Sequence, residues 1–156
     1  MDLSSLYIGL LILALIALPF FLLTVNRKKR ETLLQKQFIA KGIKYGIEIK
    51  ETDQWKDRQI GMDSIKLKVL FTHFINEEIT ETLIDLKNIQ SCGVETIWLK
   101  NDSASSAFDT IKINFKSKSG LDISSLSIFE SEIDSIAYFE LQIAEKWVKL
   151  INELLK

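Results

Sequence analysis

His73 is the only histidine in the chain and Cys92 the only cysteine, so both are first in line for any chemistry the protein does. A general base or a metal ligand needs convergent partners. Here there is no His-x-x-x-His spacing, and no second cysteine to complete a zinc site or a disulfide. Glu77 and Glu78 follow His73 closely, but a polar turn between paired strands calls for the same residues. No phosphate-binding glycine loop, dinucleotide turn, zincin helix or nucleophile elbow is present. The sequence therefore predicts no enzyme, no catalytic residue, no cofactor and no metal. His73 reads as structural or solvated, and Cys92 as a small buried apolar residue. A hydrolase assembled by residues that only the fold brings to His73 is the remaining enzymatic alternative.

Two further groups are candidates for binding rather than catalysis. Trp55 lies in the polar run Glu51-Thr52-Asp53-Gln54-Trp55-Lys56-Asp57-Arg58, either tucked against a core or exposed as a partner contact. Arg27, Lys28, Lys29 and Arg30 form the one dense basic run. Beside an anionic lipid surface each is worth about 1 kcal/mol without head-group selectivity, so the run reads first as a membrane-flanking determinant. Beyond it, residues 31–156 carry 16 basic and 20 acidic side chains, a formal charge of −4. Nucleic-acid binding demands a basic face that neutralises phosphates, and that balance disfavours it.

The elements that must position these residues begin with Leu3 to Val25, which contains no charged side chain. At about 1.5 Å per residue such a helix spans roughly 35 Å, against about 30 Å of hydrocarbon. Asp2 precedes the run and the basic cluster follows it, the reverse of a cleaved secretory signal. Basic residues stay on the cytoplasmic side. The expectation is a single-pass inner-membrane protein, N-terminus out, touching the bilayer through residues 3–25. Residues 26–42 follow as a basic flank and stalk helix, ended by Gly42, and residues 43–156 as one cytoplasmic domain.

Within that domain the hydrophobic period changes from helical to alternating. Tyr45, Ile47 and Ile49 predict a first strand, and the polar residues 52–57 a loop before Ile60 and Met62. Ile65, Leu67, Val69 and Phe71 predict the clearest strand, with His73 in phase. Further strands are expected over 80–86, over 94–100, around Ile111, Ile113 and Phe115, and over 121–129, with loops at 101–107 and 117–120. Leu141, Ala144, Val148, Ile151 and Leu155 make a broad apolar helix stripe. That helix is expected to start near Ser135, with Ser131 or Ser135 as its cap.

About seven short strands followed by a long amphipathic helix carrying Trp147 is an element order that resembles the pleckstrin homology superfold. The Glu145-Lys146-Trp147 run is also similar to one in small bacterial membrane-anchored proteins with a domain of this kind. The resemblance implies an α+β domain: about seven antiparallel strands in a partly open barrel, capped by the C-terminal helix, with Trp147 as the aromatic that plugs it. Phosphoinositide binding in that family uses basic residues around the first hairpin, whereas residues 51–58 hold three acids and two bases. No specific lipid is therefore expected. The expected function is protein binding or scaffolding through an unidentified protein partner. An anionic-lipid module using the basic flank is the alternative.

Overall fold

The computed structural model describes residues 13, 18, 24–25, 28–29, 31–75, 78–99, 108–131 and 137–156. The chain divides into a unit of residues 1–41 and a second of residues 42–156. The expected transmembrane helix is not upheld: among the described residues no helix is long and apolar enough to cross a membrane. The single-pass topology and the inner-membrane address inferred from it are withdrawn with it. In the described helical residues from Lys28 onward, Lys28, Lys29, Glu31, Lys36, Lys41 and Lys44 recur too often to leave an uncharged window. Most of residues 3–25, together with Arg27 and Arg30, lie outside the described residues.

Residues 31–44 are helical and form α1. Its stop is Gly46 rather than Gly42. Gly46 adopts φ +65, its N–H donates to the Ile43 carbonyl at 2.9 Å, and the Ile47 N–H donates to the Gly42 carbonyl at 2.9 Å. These are the paired bonds of a Schellman ending, which needs a left-handed residue that glycine supplies at least cost. Gly42 is buried within the last turns of the helix, and a Cβ there would stand 2.8 Å from Ile49 Cδ1, so a larger residue would displace the end of that half-buried side chain.

Two antiparallel sheets follow. The first has the order β1 (Glu51–Trp55), β2 (Arg58–Asp63), β3 (Lys68–Ile75), β4 (Glu78–Asp85), and a 3-10 turn at Leu86–Asn88 leads to the second, β5 (Ile89–Trp98), β6 (Phe108–Ser117), β7 (Asp122–Glu130). The helix α2 (Tyr138–Leu154) closes the domain. Strand β1 is the polar segment expected to be a loop. It lies at a sheet edge and is half exposed, so it lacks the apolar alternation that marks a strand with one covered face. Residues 47–50, expected as strand, have no strand assignment. Ile65 and Leu67 lie not in β3 but in the turn before it, where Ile65 is 72% exposed.

That turn is built by Asp63. Its Oδ1 accepts from the Ile65 N–H at 3.0 Å and the Lys66 N–H at 2.9 Å, while Oδ2 accepts from the Glu48 N–H at 2.8 Å. A short acidic side chain can satisfy turn amides in this way, replacing backbone partners they lack. One carboxylate thus fixes the β2–β3 connection and the segment leading into β1.

The core lies between the inner faces of the sheets and α2. Ile60 and Met62 stand opposite Phe71 and Val69 across β2 and β3, and Ile111, Ile113 and Phe115 on β6 are fully buried. From α2, Ile143, Ala144, Trp147 and Ile151 enter the same cluster. Each fully buried large side chain contributes about 1.5–3 kcal/mol relative to exposure, so the helix stripe is what holds α2 to the sheets. Asp53 adds a polar tie, its Oδ2 accepting from Lys146 Nζ at 2.6 Å and Trp147 Nε1 at 2.8 Å. Ala137 caps α2 without a side-chain hydrogen bond. Ser131, expected as a cap, instead donates to Asp109 Oδ1 at 2.7 Å. Ser135 lies outside the described residues.

Candidate strand-docking edge

The residues singled out by type are placed in the interior. His73 is 6% exposed, on β3, and its cross-strand neighbours are Arg58, 1% exposed, and Thr80. Neither neighbour is an acid. Cys92 is buried, and burial pushes its thiol pKa up to about 12. A thiol held neutral in this way is a poor nucleophile. Among the described residues no group of three or more His, Cys, Asp or Glu could hold a metal ion.

Trp55 ends β1 and is only 4% exposed. Its Nε1–H donates to the Ile128 carbonyl at 3.3 Å, and its ring meets Phe71 at 6.2 Å. Of the two alternatives for Trp55, the structure has the core position and not the exposed partner contact, because the polar run around it is a strand rather than a loop and the strand's last side chain turns inward. Lys56, next in sequence, forms an ion pair with Glu140 Oε1 at 2.6 Å. With Arg58 buried, both bases of residues 51–58 are engaged by the protein itself. Trp147, expected as the plugging aromatic, is completely buried on α2. Lys28 and Lys29 are exposed on their helical turn.

The sheet edges are β1, β4, β5 and β7, and of these β5 carries the exposed aromatic Trp98. Among the described residues β5 pairs only with β6 and forms one edge of its sheet. At Cys92 that edge is closed by a side chain: the Cys92 N–H donates to Asn152 Oδ1 at 3.0 Å, and Asn152 Nδ2 donates to the Cys92 carbonyl at 2.9 Å. The primary amide of α2 thus imitates one residue of a neighbouring strand.

The same pair of bonds orients the rest of β5. Because Cys92 directs both backbone groups away from β6, its pairing with Phe115 is of the non-hydrogen-bonded kind, and the kind alternates along an antiparallel pair. The register runs without a shift from Cys92–Phe115 through Val94–Ile113 and Thr96–Ile111, and a bulge follows only between Ile97 and Trp98. Val94 and Thr96 therefore also present N–H and C=O outward. Among the described residues no strand pairs with that side of β5. Val94 packs partly on the core, whereas Glu95, Ile97 and Trp98 are exposed. Trp98 stacks on Phe108 across the hairpin, with centroids 4.2 Å apart.

On the opposite edge strand, β7, Trp55 Nε1–H donates to the carbonyl of Ile128. The stretch 94–98 of β5 thus combines outward backbone groups with exposed apolar side chains. Comparison of the chain with protein-family models, with curated proteins and with solved structures finds no match. The sequence reading missed this edge because it began the strand at Val94 and had no signal for Asn152, a residue 60 positions away.

Proposed function

We propose that the domain is a protein-binding module of the pleckstrin-homology-like kind, which takes an extended segment of its partner as an added strand on β5. One observation carries the reading: the Asn152 amide satisfies the edge at Cys92, while among the described residues no strand lies beside the matching outward groups of Val94 and Thr96. An unpaired edge of this kind is a template for another chain. Main-chain hydrogen bonds supply affinity there, and the alternating side chains supply selectivity. The engaged state of Lys56 and Arg58 favours protein over phosphoinositide as ligand.

The test uses Thr96→Pro in the full-length chain. Proline removes the outward N–H of Thr96 and leaves the bonds to β6 untouched, a position where an edge strand tolerates it. A displayed library of extended peptides is selected on the wild-type protein, and the enriched peptides are measured on both proteins. Saturable binding that is lost in Thr96→Pro, with an unchanged circular dichroism spectrum, is the expected result. Enrichment of nothing, or equal binding to both proteins, rejects the reading.

A further inference from the structure

The accessible part of β5 carries one ionisable side chain, Glu95, and the pairing geometry gives that residue unusual weight. Glu95 pairs with Lys112 on β6 and is exposed. Its own N–H and C=O point to β6, since Val94 and Thr96 on either side point outward. Toward an added strand Glu95 therefore occupies a non-hydrogen-bonded position, where facing side chains approach most closely. Asn114 Nδ2 donates to Glu95 Oε2 at 2.8 Å. That amide is neutral, so it orients the carboxylate without cancelling its charge.

We propose that the partner strand is basic, with a Lys or Arg directly across from Glu95. This rests on the strand-addition reading above and names its ligand class. A second copy of this chain is the competing occupant, and the same geometry disfavours it. Pairing Val94 of one copy with Thr96 of the other would set Glu95 against Glu95 in the close position, where like charges repel. A basic extended segment meets attraction at the same point. Lys112 stands on the far side of Glu95, one strand further from the incoming residue.

The experiment takes one alternating peptide that binds the wild-type chain, varied only at its central outward residue as Lys, Ala or Glu. Binding is measured on the full-length wild type, on Glu95→Lys and on Thr96→Pro. On wild type the expected order is Lys, then Ala, then Glu, each step up to about fivefold. The order should reverse on Glu95→Lys, and the differences should shrink as salt rises. Binding that is lost in Thr96→Pro but ranks the peptides identically on wild type and Glu95→Lys overturns the charge preference and keeps the edge. Binding indifferent to Thr96→Pro, or none with any of the peptides, removes the edge reading and this inference together. A wild-type dimer in sedimentation velocity that dissociates in Thr96→Pro also overturns it, by showing a second copy in the place of the peptide.

Discussion

Replacing Asp63 by Asn tests whether one carboxylate organises the β2–β3 connection. In the native turn one oxygen accepts from Ile65 and Lys66 and the other from Glu48. Asn keeps the size but exchanges one oxygen for an NH2 group. Either orientation of that amide sets a donor against at least one backbone donor, at a site that is 1% exposed. A buried donor left without an acceptor costs about 1–3 kcal/mol, and hydrogen bonds to a charged group are stronger than those to a neutral one. Asp63→Asn is therefore expected to destabilise the domain by about 2–4 kcal/mol, a fall in Tm on the order of 8 °C. The native bonds hold the Asp63 pKa below its ordinary value, the Glu48 and Lys66 amides being the main causes. A carboxylate with a depressed folded pKa contributes stability that is complete above its unfolded pKa of about 3.9, and that is lost as pH falls through the folded value. Urea unfolding of wild type and Asp63→Asn between pH 7 and pH 2.5 should show a constant gap down to about pH 5, narrowing below. Equal stability at pH 7, or a gap that widens on acidification, would refute this account of the turn.

Other substitutions probe the remaining ties. Trp147→Phe removes the N–H donated to Asp53 at 2.8 Å and leaves a void at a fully buried position, so thermal unfolding should show a loss of about 2 kcal/mol or more. Gly46→Ala places a side chain at φ +65 and should cost about 1–2 kcal/mol in the same assay, although no atom lies within 4 Å of the added Cβ. With its pKa pushed up to about 12, Cys92 should resist maleimide at pH 7.5 in the folded protein and react fully in urea. Labelling of the native protein at the rate of a free thiol would contradict its burial.

Legibility in the sequence followed the physics of one-sided burial. The alternation of Ile111, Ile113 and Phe115 marks β6 because one of its faces is entirely covered, and the helical stripe through Ala144 and Ile151 marks α2 for the same reason. Strand β1 was illegible because an edge strand needs no apolar face, and Ile65 misled because an exposed turn residue happened to continue the period of β3. Uncharged length likewise suggested a membrane span over residues 3–25, which no helix among the described residues satisfies. The candidate site was least legible of all. It consists of backbone groups, and backbone groups have no letters of their own.

The two outer edges of the β5-β6-β7 sheet show why a single stretch stands out. On β7 an indole N–H takes the carbonyl of Ile128, and on β5 an amide takes both groups of Cys92. Each of these bonds comes from a side chain of another element, Trp55 from β1 and Asn152 from α2, so each edge is met only as far as that element reaches. Helix α2 begins beside the β1–β2 turn, where Glu140 meets Lys56, and its last turns meet the start of β5. It therefore runs across the sheet, and one amide covers one strand position. Asn152→Leu would remove that amide while keeping an apolar contact. It should extend the outward-facing run by Cys92 and lengthen the peptide that β5 accepts by about two residues, since outward positions recur with period two. Selected peptides that bind Asn152→Leu and wild type with the same minimum length would show that Asn152 does not set where docking stops.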